Sequence, residues 1–67
     1  MHLRAFRKLH GISLNEMGQR IGVTGVTVHR WEVGKVRPGL DAIEAIQRAT
    51  NGAVGAADFM RDGAEAA

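Results

Sequence analysis

Apolar residues in this chain recur three and four positions apart, in short runs separated by glycine, and that spacing is helical rather than extended. Leu3 and Phe6, with Leu9 or His10 next on the same side, predict a first helix that Gly11 can close in a left-handed conformation. Ser13-Leu14-Asn15-Glu16 fits a capping box, in which the Ser13 hydroxyl and the Glu16 carboxylate reciprocally satisfy backbone N–H groups at the start of a second helix. Met17 and Ile21 supply its apolar stripe, Gly22 ends it, and Val23 is expected to plug the turn. Thr24 is a good N-cap for a third helix, whose buried residues are expected to be Val28 and Trp31 and which Gly34 closes.

Lys35-Val36-Arg37-Pro38-Gly39 reads as a loop, because proline lacks a donor and restricts the residue before it. Leu40, Ile43, Ile46 and Ala49 then predict the apolar side of a fourth helix, with Asp41 in its first turn and Asn51-Gly52 at its end. Val54 is expected to fold back onto the core, and Ala56 to Met60 to form a short fifth helix anchored by Phe59. No alternating pattern of useful length occurs, so no sheet is expected. The predicted fold is all-α: a compact bundle of four to five helices in one domain over residues 1–62, with a frayed or disordered tail over 63–67.

Composition narrows the class further. Sixty-seven residues hold one modest core, and the chain has no cysteine for a disulfide or a thiolate zinc site. Small chains without such staples rely on well-packed helices, on self-association, or on both. No apolar run approaches a membrane-spanning length and the first residues begin no signal sequence, so a soluble, cytoplasmic protein is expected. The net charge of +2 conceals a polarity: residues 1–38 carry a balance of +5 and residues 39–67 a balance of −3. A basic half suggests a face for a polyanion, set against the plainer reading of ordinary solvated charge.

The third helix carries the candidate chemistry. Burying Val28 and Trp31 leaves Thr24, Gly25, Val26, Thr27 and Arg30 to point outward. Arginine can grip guanine O6 and N7 with two hydrogen bonds, valine or threonine methyls can pack on a thymine methyl, and glycine lets the backbone approach closely. The helix terminus capped by Ser13 is a natural phosphate seat. Lys35 and Arg37, on the loop, suit phosphates rather than bases. Gly18 sits in mid-helix at a cost of about 1 kcal/mol relative to alanine, so Gly18→Ala is expected to leave stability unchanged or raise it by up to ~1 kcal/mol. A small residue there also makes sense if the third helix crosses close above it.

Each of these residues has a competing reading. Trp31 could act as an intercalating wedge, but its spacing from Val28 places it in the core. His29 lies beside the reading face, either touching a phosphate or solvated. His29 and Glu32, with His10 or His2, could suggest a metal site, but no second clustered pair exists and no metal or other cofactor is expected. Arg30 could form a surface salt bridge, and Lys35 and Arg37 could serve solubility alone. Phe59 and Met60 could build a dimer interface, or Phe59 could pack on the chain's own core.

Taken together, Leu3-Arg4, Phe6-Arg7, Gly11, Ser13, Glu16, Met17, Ile21-Gly22-Val23-Thr24, Val28, Arg30-Trp31-Glu32, Gly34-Lys35 and Pro38 resemble the family of phage lambda-type repressors, Cro proteins and bacterial XRE-type regulators. The likeness continues more loosely through Leu40, Ile43, Ile46 and Asn51-Gly52. It implies a lambda repressor-like domain in which Arg7 forms a partly buried ion pair with Glu32, a device that fixes geometry more than it adds stability. It implies base contacts from Thr24, Gly25, Val26, Thr27 and Arg30, and phosphate contacts from Ser13, Lys35 and Arg37, with His29 a further candidate. Two positions depart from the family pattern: Leu14 replaces a polar residue that commonly touches the DNA backbone, and Gly18 stands where alanine is preferred.

The function expected is sequence-specific transcriptional regulation, by a repressor of phage or bacterial origin using a recognition helix over residues 24–33. One such helix reads only a few base pairs, too few against a genome of competing sites. A homodimer on an inverted repeat is therefore expected, with half-sites about one helical turn (~34 Å) apart. With no room for a sensing domain, control is expected through concentration, a partner protein or proteolysis. The alternative is a protein-interaction module, such as an antitoxin-like partner of a toxin or another acidic protein. An enzyme is not expected, since the chain has no cysteine, no tyrosine, no glycine-rich phosphate loop and no carboxylates paired for acid–base work.

Overall fold

Side-chain caps and left-handed turns cut the chain into short helices. The computed structural model describes residues 1–59, with α1 at Leu3–Leu9, α2 at Leu14–Ile21, α3 at Gly25–Glu32 and α4 at Leu40–Ala49. A further helical turn covers residues 56–59, and no strand occurs among the described residues. The expected domain end at 62, Met60 and the tail expected over 63–67 lie outside the described residues.

The core is a single cluster of Leu3, Phe6, Ile12, Met17, Val28, Trp31, Ile46, Val54 and Phe59, with Leu14, Ile21, Val23, Ala42 and Ile43 packed against it. Burying one such aliphatic or aromatic side chain contributes roughly 1.5–3 kcal/mol, so in so small a domain every member matters. Trp31 and Phe59 are both inside, which makes Trp31 a core residue and places Phe59 on the chain's own core. Ile12 and Thr50 are buried without having been singled out by spacing. Thr50 secures the turn after α4: its hydroxyl donates to the Ile46 carbonyl at 2.7 Å and accepts from the Val54 N–H at 3.1 Å. That bond pins the return of Val54, which is fully buried.

Three local expectations are corrected. Leu40 is 74 % exposed rather than part of the α4 stripe. Stepping back four residues at a time from Ile46 reaches Ala42 and then Pro38, and Pro38 is buried where Leu40 was expected. Leu9 is 68 % exposed, because α1 ends there and the chain turns away. His10 instead lays its ring against Phe6, with centroids 4.3 Å apart. The capping box is only half made: Ser13 Oγ accepts the Glu16 N–H at 3.1 Å, but the Glu16 carboxylate turns outward to Arg20 Nη2 at 2.9 Å.

Candidate nucleic-acid interface

The geometry of α3 is set by what lies beneath each of its ends. Gly22, at φ +95°, turns the chain sharply after α2, so that the Val23 carbonyl lies directly over Gly18. A Cβ added at Gly18 would sit 2.5 Å from the Val23 oxygen and 2.9 Å from the Thr24 carbonyl carbon. Both are backbone atoms rather than the end of a flexible side chain, so this contact opposes the gain in helix propensity expected from alanine at this position. Gly25 answers from the other side: a Cβ there would collide with Asn15 Oδ1 and lie 3.1 Å from the Asn15 nitrogen. Two glycines, one on each helix, let α2 and α3 close onto one another.

Gly25 is therefore not turned outward as expected. It is buried against α2, because the first residue of α3 is the point at which the two helices meet. Thr24 caps α3, its Oγ1 accepting the Thr27 N–H at 3.3 Å and lying 3.1 Å from Thr27 Oγ1. Its hydroxyl is thus engaged in the helix start, leaving its methyl for outside contact. Val26 and Arg30 are exposed and lie four residues apart on one side of α3, with the half-buried Thr27 next to Val26. Among the described residues Arg30 takes part in no ion pair and no side-chain hydrogen bond, so its five donors remain available.

The far end of α3 closes in a Schellman arrangement. Gly34, at φ +82°, lets its own N–H donate to the Trp31 carbonyl at 3.3 Å and the Lys35 N–H donate to the Arg30 carbonyl at 3.0 Å. Lys35 consequently leaves from the helix end, and both Lys35 and Arg37 are exposed. Ser13 is exposed at the start of α2 and His29 on α3.

Behind this surface Arg7 and Glu32 tie α1 to the last residue of α3. Arg7 Nε donates to Glu32 Oε2 at 2.9 Å and Nη2 to Oε1 at 3.1 Å, a two-bonded fork. Arg7 Nη1 donates in addition to the Ile12 carbonyl at 3.2 Å. The pair is well covered, with 13 % and 2 % of the two side chains exposed. Hydrogen bonding to Glu32, reinforced by its charge, holds the Arg7 pKa above the ordinary guanidinium value against the opposing effect of burial. Glu32 is thereby occupied, and no group of three or more His, Cys, Asp or Glu side chains able to hold a metal occurs among the described residues.

A capped, exposed helix edge propped outward by a preceding helix, and followed by two exposed cations, defines a helix-turn-helix DNA-binding module. The chain belongs to the XRE-type, lambda repressor-like helix-turn-helix family, whose pattern matches residues 3–54. It is accordingly a DNA-binding regulator of that type, in a family that is generally non-enzymatic. No curated protein and no solved structure matches it. No helix among the described residues is long and apolar enough to cross a membrane.

The Val28–Trp31 spacing already implies the exposure of Val26 and Arg30. It does not reveal Asn15 as the residue against which Gly25 packs. The available signal was the pair of glycines seven residues apart, one on each side of the turn.

Proposed function

We propose that the protein is a sequence-specific transcriptional repressor of phage or bacterial origin that binds an inverted repeat as a homodimer in the cytoplasm. The observation that carries this reading is the exposed edge of α3, with Arg30 unpartnered among the described residues. In this reading Val26, Thr27, Arg30 and the Thr24 methyl meet base edges, while Ser13, His29, Lys35 and Arg37 meet phosphates. Arg30 specifies a guanine, because a two-bonded guanidinium is matched by O6 and N7 of that base alone. The need for two half-sites supports the dimer, and the exposed Val33, Val36 and Leu40 along the α3–α4 connection offer apolar surface for a second copy.

Selection of bound sites from a random duplex pool, followed by titration across salt, tests the proposal. A palindrome should emerge, and affinity should fall with salt at a slope of about −0.9 per neutralised phosphate. Arg30→Ala should weaken the selected site by about 1–3 kcal/mol and relax preference at one position. Equal weakening on random DNA would make Arg30 a phosphate contact. Absence of any mobility shift at low salt would hand the protein to the interaction-module reading, with a toxin or other acidic protein as partner.

A further inference from the structure

The first residue of α3 offers no side chain to DNA, and the space such a side chain would fill is taken by a residue of α2. A Cβ built on Gly25 would collide with Asn15 Oδ1 and come within 3.2 Å of the Asn15 Cα. Asn15 is exposed in the first turn of α2, and its carboxamide has no hydrogen-bond partner among the described residues. Its polar neighbours do not engage it: Ser13 Oγ accepts the Glu16 N–H, and His29 makes no side-chain hydrogen bond. Asn15, Val26 and His29 line one open hollow of about 420 Å³ between the starts of α2 and α3. The carboxamide therefore stands beside Val26, next to the exposed edge that Val26 and Arg30 form. Contact with the Gly25 backbone, rather than a polar partner, holds it there.

We infer that Asn15 reads a base from α2, as a specificity-determining residue for one adenine of each half-site, at the place that Gly25 leaves vacant on α3. This role rests on the DNA-binding reading and deepens it. A carboxamide carries one acceptor atom and two donors. Adenine is the base whose major-groove edge presents the matching pair, N6–H donating to the carboxamide oxygen and N7 accepting from its nitrogen. A phosphate would use the donors alone and leave the oxygen facing an anion. From Gly25 to Arg30 the rise along α3 is about 7.5 Å, at ~1.5 Å per residue. With base pairs stacked ~3.4 Å apart, the adenine should lie about two base pairs from the guanine gripped by Arg30.

The test uses the full chain and the duplex recovered by selection. Each adenine of either strand is replaced in turn by 7-deazaadenine, which removes only the N7 acceptor. One position per half-site should lose roughly two- to ten-fold in affinity, the worth of one hydrogen bond. Asn15→Ala, at an exposed position that leaves the core intact, should abolish that penalty and the preference at that base pair. The salt slope and the preference for guanine opposite Arg30 should stay unchanged. Asn15→Asp keeps the shape but offers acceptors only. Reselection with it should return cytosine in place of adenine, because the cytosine edge has the N4–H donor and no N7.

No effect of 7-deazaadenine at any position, on a palindrome that the protein still binds, would overturn the inference and leave the DNA-binding reading intact. A penalty that survives Asn15→Ala would belong to another residue and equally overturn it, as would adenine reselected by Asn15→Asp. Equal weakening of selected and random duplexes by Asn15→Ala would make the carboxamide a phosphate contact instead. No recovered site at all would remove both readings together.

Discussion

The two ends of α3 are fixed by opposite means. At its start, α2 and α3 approach through the absence of side chains, Gly18 facing the Val23 carbonyl and Gly25 facing Asn15. At its end, two of the longest charged side chains, Arg7 and Glu32, reach across to join in a covered fork. The first joint is steric: it fixes distance through close backbone contact, and an added carbon forces a neighbour to shift. The second is electrostatic, fixing orientation through paired hydrogen bonds and intolerant of a lost partner. Together they make α3 a rod held at both ends, as a reading helix requires if its edge is to meet base pairs in register.

The electrostatic joint gives the largest expected effect. Arg7→Met leaves the Glu32 carboxylate nearly covered and without its partner, which should cost about 3–5 kcal/mol. For a domain whose total stability is on the order of 5–10 kcal/mol, that brings thermal unfolding close to ambient temperature. The companion Arg7→Met/Glu32→Leu removes both charges and should recover most of the loss, since the pair contributes geometry more than net stability. A double variant as unstable as the single one, by thermal or urea unfolding, would show that the fork itself stabilises the fold. The upward shift of the Arg7 pKa sets the sign of its pH dependence. The contribution is complete below the ordinary guanidinium value and is lost only at more alkaline pH, so Arg7 produces no slope around neutrality.

The steric joint comes next. Gly18→Ala gains up to ~1 kcal/mol in helix propensity, but it forces the Val23 carbonyl away from a position 2.5 Å from the new Cβ. Overpacking of this kind costs about 1–3 kcal/mol, so a net loss near 1–2 kcal/mol is expected in urea unfolding. DNA binding should fall by more than the unfolded fraction explains, because the start of α3 moves with the carbonyl. An unchanged or raised midpoint would mean that the crossing yields easily, and the contrast between the two joints would collapse.

The two joints also differ in how far the sequence disclosed them. Arg7 and Glu32 stand 25 residues apart, and only the family likeness joined them; no local spacing does so. The helices, the Ser13 and Thr24 caps and the Val28–Trp31 core positions followed from short-range pattern, because capping and i, i+3 burial are local physics. Gly18 is visible as a costly residue, but propensity alone leaves out the contact that opposes its replacement. The deciding contact is with backbone from the following turn, which no side-chain pattern encodes. The burial of Gly25 is hidden for the same reason, since a residue without a side chain leaves no amphipathic mark. Leu40 and Pro38 exchanged places because a stripe can be traced back from a helix by three residues or by four.

Arg20→Ala gives the smallest effect and supplies the control. Arg20 and Glu16 form the same chemical pair as Arg7 and Glu32, at the same 2.9 Å, but on the open side of α2 with 46 % and 49 % of their side chains exposed. Glutamate precedes arginine by one turn, the favoured order, yet such exposed pairs are worth only about 0.3–0.5 kcal/mol. Water solvates both groups when the pair is broken, so nothing is stranded. A shift in urea midpoint equivalent to no more than ~0.5 kcal/mol is expected, vanishing near 1 M salt, where the screening length is about 3 Å. A loss comparable to that of Arg7→Met would mean that pairing itself, and not the covering of Glu32, gives the joint behind α3 its weight.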